Sequence, residues 1–395
     1  DYNKSLKNLY DINLTSGFKY NYLKATNIGG YNLNNPDSNI FSAYDFNEFR
    51  RFKYEENTFA LYTELSKKFD KFSLTAGIRW EDFNLISRTN NIVSNKFKTN
   101  NFFPSFSIDY KLNKSLKLLS SYSRKSTLPV FSDLDPNIIG NFDNFINETG
   151  NPLLNPNFSD NYRFSVNAFT YFNFNVNHTY LKDMNFRYFI VPDNSTLLID
   201  SYRSFRNVNF TSITTSFPIP IDLILKGKQN TSNKSQDKIN YIYVTTIYNK
   251  HNVSSFDYNF EKKPFWYFNI LSHFVLPHEI KLMAQYSHVT PGTYQIFELK
   301  KPINFFNVSI AKNFYDNKLK LMVAFEDIFN TNKINGYCNF TNLNTTYNDK
   351  LNTQLVSFRI SYDFNNNKNL KLEKTDIKKD EKELDKEKTI INDKF

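Results

Sequence analysis

Apolar and polar residues alternate along most of this chain in runs that meet at short polar turns. In one such run, Phe59, Leu61 and Leu65 share one face, whereas Glu64 and Lys68 share the other. Period-two alternation on both sides of a tight turn predicts a β-hairpin. The sequence places such turns at Asp70-Lys71, Asn113-Lys114, near Asn173, at Pro277-His278 and at Asp316-Asn317. The chain is therefore predicted to be a series of antiparallel hairpins.

The alternation predicts about 14 strands, joined by short turns at one end and long polar loops at the other. Four of these loops span 129–157, 330–352, 25–43 and 290–302. This asymmetry is typical of an outer-membrane barrel, whose short turns face the periplasm. The interval 221–262 is the least regular, because 229–237 interrupts the alternation and a loop there would add a hairpin. The predicted strands are 8–24, 44–69, 72–90, 100–112, 115–127, 158–171, 174–190, 204–217, 221–248, 254–275, 279–289, 303–314, 318–328 and 353–364.

Composition fits this prediction, although mean hydropathy is −0.55. No stretch approaches the roughly 18–20 apolar residues that a membrane-spanning helix needs. A barrel strand crosses with about 9–11 residues, of which only alternate ones face lipid. The 41 Phe, 26 Tyr and 2 Trp suit aromatic girdles, and an AT-rich genome is a second explanation for them. The predicted fold class is an all-β, antiparallel transmembrane β-barrel over residues 1–364.

The two ends of the chain differ from the rest. Residues 365–395 contain nine Lys and eight acidic residues, a composition that predicts a disordered or loosely helical periplasmic tail. Asp1 opens no apolar secretory segment. An exported chain of this kind is expected to be a processed form or a fragment.

Inward-facing residues of the predicted strands are polar or charged, because a charge facing lipid costs up to about 2–4 kcal/mol at the midplane. They would contact a plug or a solute, or satisfy one another across strands. The net charge of +10 is scattered along the chain. It favours anionic lipid headgroups or lipopolysaccharide phosphates over nucleic acid as partners, and for most of these residues the simplest explanation is a solvated surface with no specific partner. The inward-facing set includes Glu64, Lys68, Arg79, Glu81, Lys117 and Arg163.

Candidate ligand-binding residues are the carboxylates of the 129–157 loop, since hard cations and ferric chelates prefer oxygen ligands. Their spacing matches no calcium loop, so ordinary solvated carboxylates are the alternative. The loop candidates are Asp133, Asp135, Asp143 and Glu148, and Glu81 and Asp82 have the same chemistry. Gly150-Asn151-Pro152 with Pro156 either shapes the mouth of the barrel or only positions the strand from Phe158.

Other chemistry is missing from the sequence. The five histidines have no zinc-site spacing, Cys338 is the single cysteine, and neither a nucleophile elbow nor a phosphate-binding loop occurs. We therefore expect no metal, no cofactor and no enzymatic activity.

Seven short runs follow one another along the chain: YEENTFALY at 54–62, AGIRWE at 76–81, FPS at 103–105, SYSR at 121–124, GNPLLNP at 150–156, DIFNT at 327–331 and SYDF at 361–364. In this order they resemble the C-terminal barrel of the Bacteroidetes outer-membrane β-barrel family, which is related to TonB-dependent receptors. Asn157 stands where the family often has Glu, and Arg359 where it often has Gly.

The resemblance implies the last two-thirds of a barrel of about 22 strands. It also implies a plug domain, the remaining barrel strands, a TonB-type energising protein and a small-molecule nutrient such as a ferric siderophore as partners. The leading hypothesis is thus the barrel of a nutrient importer. The alternatives are a barrel without active transport, either a passive channel or a structural or adhesive surface protein, and a secreted soluble β-protein that binds glycans.

Overall fold

The computed structural model describes residues 1–6, 11–31, 48–143, 146–169, 171–192, 198–227, 238–253, 262–295, 297–315, 317–340 and 343–364. Fifteen strands form the main sheet. In sheet order they are β1 (Tyr2–Leu6), β2 (Ile12–Tyr31), β3 (Glu48–Lys68), β4 (Phe72–Thr89), β5 (Ile92–Asn113), β6 (Leu116–Thr127), β9 (Asn157–Ala168), β10 (Phe172–Lys182), β13 (Val208–Ile219), β14 (Tyr241–Val253), β15 (Phe265–Leu276), β16 (Ile280–Val289), β19 (Ile303–Phe314), β20 (Leu319–Glu326) and β23 (Leu355–Tyr362).

Each main-sheet strand pairs antiparallel with the next one in this order. The all-β, antiparallel fold class is therefore confirmed, with 15 strands instead of about 14. Within the described residues, β1 and β23 lie at the two edges of the sheet and each pairs on one side. The predicted tail, 365–395, lies outside those residues.

The remaining elements lie in the connections. At the long-loop end, one small sheet has the order β11-β12-β8-β7 and a second has the order β17-β18-β21-β22. The described residues include two short α-helices, one at each end of the main sheet. The bounds are α1 (Phe131–Leu134), β7 (Ile138–Asp143), β8 (Ile146–Thr149), β11 (Met184–Ile190), β12 (Leu198–Phe205), α2 (Ile221–Lys226), β17 (Gly292–Tyr294), β18 (Phe297–Leu299), β21 (Lys333–Phe340) and β22 (Leu343–Lys350). Among the described residues, no helix is long and apolar enough to cross a membrane.

The turn at the start of β5 differs from the prediction. The sequence predicts a loop over 91–99, but β4 and β5 continue there and join through Asn90 and Asn91, with φ of 51° and 67°. Positive φ at both central residues is the geometry of the favoured two-residue hairpin turns. The loop prediction is wrong because the outward residues of this stretch are the polar Lys96, Lys98 and Asn100. The outward face therefore lacks the apolar residues from which the strand was predicted, although the strand continues.

Other strand boundaries also differ, and β2 continues to Tyr31 through the first part of the predicted loop 25–43. The predicted strand 174–190 is broken at Asp183, whose φ is 59°, and the turn before it lies at 169–171 instead of near Asn173. The predicted strand 221–248 begins as α2, because Pro220 cannot donate to a sheet ladder and Asp222 pairs with Lys226 one helical turn later, at 2.6 Å. The segments 228–237 and 254–261 lie outside the described residues.

The two faces of strands β2 to β5 exchange character part of the way along the sheet. Nearer the short turns, the outward residues are apolar, as in the register row Phe18, Leu61, Trp80 and Phe102. Six residues farther along β2, the outward row contains Lys24, Glu55, Ile86 and Lys96. The inward residues change in the opposite sense, as two groups illustrate: Lys19, Arg79 and Glu81 lie below the exchange, and the buried Phe52, Tyr54, Phe83 and Leu85 lie above it.

Candidate functional site at the mouth and inner wall

The inner wall contains a cavity of about 190 Å³ between β2 and β9, just below the long-loop end. Charged and amide side chains form its sides, and Pro156 and Leu128 lie at its upper rim. In the strand register, Lys19 is opposite Ala60, which is opposite Glu81. Because Ala60 is small and fully buried, a hollow forms between the two longer side chains.

Two of the charged residues in this cavity satisfy each other. Arg79 Nε lies 2.5 Å from Glu81 Oε1, and Ser126 Oγ donates to Glu81 Oε2 at 3.3 Å. Lys19 forms no ion pair within the described part of the chain, so its ammonium is the charge that an anionic group in the cavity would meet. Elsewhere on the inner face, Lys117 pairs with Asp109 at 2.8 Å.

The loop between β6 and β9 folds inward over the mouth. Leu134 of α1 and Leu154 of the GNPLLNP run are buried against the inner face of the long strands, together with Phe52, Tyr54 and Leu85. The ring of Phe131 lies 5.6 Å from that of Phe52 and 6.1 Å from that of Tyr54. This group of buried residues, the mouth core, fixes the loop as part of the wall.

Asp135 and Gly150 hold the two ends of this loop together. The Asp135 carboxylate accepts from the Asn27 side chain at 2.5 Å and from both the backbone and side-chain nitrogens of Asn137. The backbone oxygen of Asp135 accepts from Gly150 N at 2.8 Å. A Cβ on Gly150 would lie 2.5 Å from that oxygen, so the close approach requires glycine. The GNPLLNP run therefore shapes the mouth and also leads into β9.

The structure places the four carboxylates of the loop in different settings. Asp135 is 3 % exposed and engaged as described. Asp133 lies close enough to the Tyr202 phenol for its carboxylate to raise the pKa of that phenol, and Glu148 pairs with Arg187 at 3.2 Å. The backbone of Asp143 ends β7, and its side chain lies outside the described residues. The three described carboxylates stabilise the loop layer, and their ligand role stays a prediction.

Arg187 is the centre of an ion-pair network that the sequence pattern did not predict. It donates to Asp200 through Nε at 2.8 Å, lies 2.6 Å from the same carboxylate through a second nitrogen, and also contacts Glu148. A bidentate pair of this kind fixes geometry. It joins three strands of one small sheet, including the parallel pair β8 and β12. No local pattern could have found it, since the partners come from separate loops.

Tyr202 lies beside this network. Burial, followed by the nearby Asp133 carboxylate, raises the pKa of Tyr202 to about 12. The phenol thus remains protonated at neutral pH and serves as a donor.

The two small sheets meet above the wall. The rings of Phe189 and Phe297 lie 6.2 Å apart, and Phe186, Phe205 and Cys338 share a second buried cluster. The long loops thus form a folded layer around the mouth.

Asp327 of the DIFNT run fastens the last of these loops. Its carboxylate accepts from Thr331 N at 2.9 Å, from Asn332 N at 3.2 Å and from Thr353 Oγ1 at 2.8 Å. Thr353 lies just before β23, so Asp327 ties together both ends of the connection 327–354. Burial opposes ionisation, but the hydrogen bonds led by Thr331 outweigh it and hold the pKa of Asp327 below its ordinary value.

Replacing Asp327 with Ala is expected to destabilise the connection 327–354 by about 1–3 kcal/mol, because buried N–H groups lose their acceptor. Faster hydrogen exchange at residues 331–340 would measure this loss. Asp70, exposed at a tight turn, provides the matched control, and Asp70→Ala should leave exchange there unchanged.

The hydrogen bonds that the Asp327 carboxylate accepts should stabilise the connection 327–354 less in acid. Since the folded pKa of Asp327 lies below the unfolded value of about 3.9, its contribution is complete above that pH and is lost as pH falls through the folded pKa. Equal exchange in wild type and Asp327→Ala at neutral pH would contradict the assignment.

Within the described ranges, no three His, Cys, Asp or Glu side chains come together in a way that could hold an ion. His251 instead accepts from Gln295 N at 3.0 Å and packs between Phe210 and Tyr294 at 4.5 and 5.2 Å.

An antiparallel wall with an apolar outer face, a polar inner face, tight turns at one end and folded loops at the other defines a membrane β-barrel. The chain belongs to the outer membrane protein beta-barrel family, whose model matches residues 1–362. It is therefore an outer-membrane protein, with its short turns on the periplasmic side. No curated protein matches the sequence.

Solved structures of outer-membrane receptors share the fold. The ferric citrate transporter FecA aligns with a TM-score of 0.57 at 10% identity, over 89% of this chain and 51% of its own. The ferripyoverdine receptor of Pseudomonas aeruginosa gives 0.55 at 11%, over 89% and 46%. The ferric enterobactin receptor PfeA of Pseudomonas aeruginosa gives 0.51 at 12%, over 91% and 52%. The chain spans about half the length of each of these proteins.

Proposed function

We propose that this chain is the barrel portion of an outer-membrane receptor of the TonB-dependent type that imports a scarce nutrient, with a ferric siderophore as the class of ligand. The observation that carries the proposal is the inner wall, where a polar cavity lies directly beneath a mouth shaped by folded loops. FecA and the ferripyoverdine receptor, which share the fold, support it.

The proposal includes partners beyond the described chain. A plug domain and further barrel strands would complete the wall, and a TonB-type inner-membrane protein would supply energy. The edge strands β1 and β23 support further strands, since unpaired backbone groups in lipid each cost several kcal/mol. The motif runs quoted above support an origin in the Bacteroidetes. The sequence upstream of Asp1 tests these partners, since a plug and a TonB box are expected there.

Uptake by cells tests the importer role. A strain lacking the gene should take up less ⁵⁵Fe from a siderophore-containing culture supernatant than the complemented strain, and an uncoupler should abolish the difference. Uptake that persists with the uncoupler would instead indicate a passive channel. Unchanged uptake in the deletion strain would indicate a structural or adhesive protein.

A matched pair of variants on β2 tests whether the nutrient passes along the inner wall. Lys19 faces the inner cavity and Lys24 faces outward, so Lys19→Gln should lower uptake by about tenfold, as expected for a lost interaction of about 1.4 kcal/mol. Lys24→Gln should leave uptake unchanged. Equal uptake by the two variants would contradict passage along this wall.

A further inference from the structure

The outer face of β2 to β5 becomes charged at the row where the lipid-facing apolar surface ends. In that row Tyr22, Asn57, Asn84 and Lys98 lie opposite one another. The next two rows outward lie about 7 and 14 Å farther along the strands. Half of the eight outward side chains in these two rows are basic and only Glu55 is acidic, and Arg51 continues the positive charge one row farther out. The four basic residues are Lys24, Lys53, Arg88 and Lys96.

This surface, the basic band, carries six basic and two acidic side chains, for a net charge of +4. The charged side chains of the basic band lie on the outward side of the strands. The alternate residues face inward and are buried, as Phe52, Tyr54, Phe83 and Leu85 show. The members of the basic band are Lys24, Arg51, Lys53, Arg88, Lys96 and Lys98, with Glu55 and, one row nearer the apolar surface, Asp82.

The acidic residues do not neutralise the basic band. Glu55 is shared by Lys24 at 3.1 Å and Arg88 at 3.7 Å. Lys53 Nζ donates to Asn91 at 3.0 Å, while Lys96 and Lys98 are exposed and form no ion pair within the described ranges. The uncompensated charge therefore points away from the barrel, into the layer just outside the apolar part of the membrane.

We infer that the basic band binds the phosphate groups of a lipopolysaccharide-type glycolipid in the outer leaflet. Continuity with the lipid-facing surface selects a membrane lipid as the occupant, because the headgroup layer begins where the apolar rows end. Charge complementarity selects phosphates, and each Lys or Arg near an anionic membrane surface contributes to attraction. The side-chain amides of Asn57, Asn84 and Asn100 share this face and suit sugar hydroxyls.

Native mass spectrometry of the protein purified from outer membranes in mild detergent tests the inference, with diphosphoryl lipid A as the probe. The combined variant Lys53→Gln, Arg88→Gln, Lys96→Gln and Lys98→Gln should bind it at least about tenfold more weakly than wild type. Lipid A without phosphates should bind wild type no better than diphosphoryl lipid A binds the variant.

The matched control removes the same charge from the periplasmic end, through Lys68→Gln, Lys71→Gln, Lys111→Gln and Lys114→Gln, and should bind the probe like wild type. Glu55→Gln should shift affinity upward, which a misfolded variant cannot imitate. Equal binding of the probe by wild type and the combined variant, or equal binding of both lipid A forms by wild type, would overturn the inference. Neither outcome depends on whether the protein imports a nutrient.

Discussion

Ile270→Arg should cost about 2–4 kcal/mol of folding free energy in a lipid bilayer, the penalty for a cation at the midplane on the lipid face of a barrel. Ile270 lies in the middle of β15, is 40% exposed on the outward face and is opposite Tyr286 and Val244 in the register. Urea titration of the protein folded into phospholipid vesicles measures the loss.

Gln285→Arg provides the control for this experiment. Gln285 lies one residue from Tyr286 on β16 and faces inward at nearly the same depth. An arginine there meets water and polar groups, so its cost should fall well below that of Ile270→Arg. Equal costs for the two variants would mean that the outward face does not contact lipid.

Leu154→Ala should release the mouth loop, with a local cost of about 2–5 kcal/mol for a buried leucine truncated in a packed cluster. Leu154 is 1% exposed in the mouth core, and its loss removes packing against the inner face of the long strands. Limited proteolysis of intact cells and hydrogen exchange over 131–156 should both accelerate.

The neighbouring Leu153→Ala is a matched control, because Leu153 is 63% exposed and its truncation should change stability by less than about 0.5 kcal/mol. If both variants exchange at the wild-type rate, the loop is not held by this core. If the barrel itself unfolds in Leu154→Ala, the mouth core supports the whole wall and not only the loop.

The alternation of apolar and polar residues was sufficient to predict the strands that lie in lipid. β9 and β10, β15 and β16, and β19 and β20 were predicted as hairpins, and in each the outward residues are mainly apolar, with exceptions such as His178, His288 and Lys312. A lipid-facing strand must show the period-two pattern, since one face contacts hydrocarbon and the other contacts polar groups.

The pattern failed where strands leave the membrane. In β5 the outward residues beyond Phe102 are Asn100, Lys98 and Lys96, so apolar alternation stops although the ladder to β4 continues. In α2, the apolar run 223–225 fits a strand and a short helix equally well. The first error arises because the solvent on each face sets the pattern, and the second because a short apolar run does not distinguish a strand from a helix.

The loop sites were the least predictable. Asp133, Asp135 and Glu148 were chosen for their chemistry, but their partners Tyr202, Asn27 and Arg187 come from distant segments. A pairing such as that of the parallel strands β8 and β12 depends on how separate loops meet. No residue spacing within the sequence predicts which of these loops come into contact.

The exchange of faces along β2 to β5 also explains how the mouth loop is packed against the strands. Above the membrane, water is on the outside, so the strands carry charge outward and bury apolar residues inward against the loop. The same four strands thus serve as a lipid-facing wall below and as one side of a small water-soluble core above.

A cysteine scan along β4, from Leu74 to Arg88, tests this account most directly. Burial raises the pKa of the native Cys338 thiol to about 12, so that residue should not react with the label. A lipid-soluble quencher should reach labels at 74, 76, 78 and 80 but not at 84, 86 or 88, and labels at 83 and 85 should be hindered by the mouth core. Quenching that continues through 88, or that does not alternate between even and odd positions, would contradict an outer-membrane wall whose faces exchange at this row.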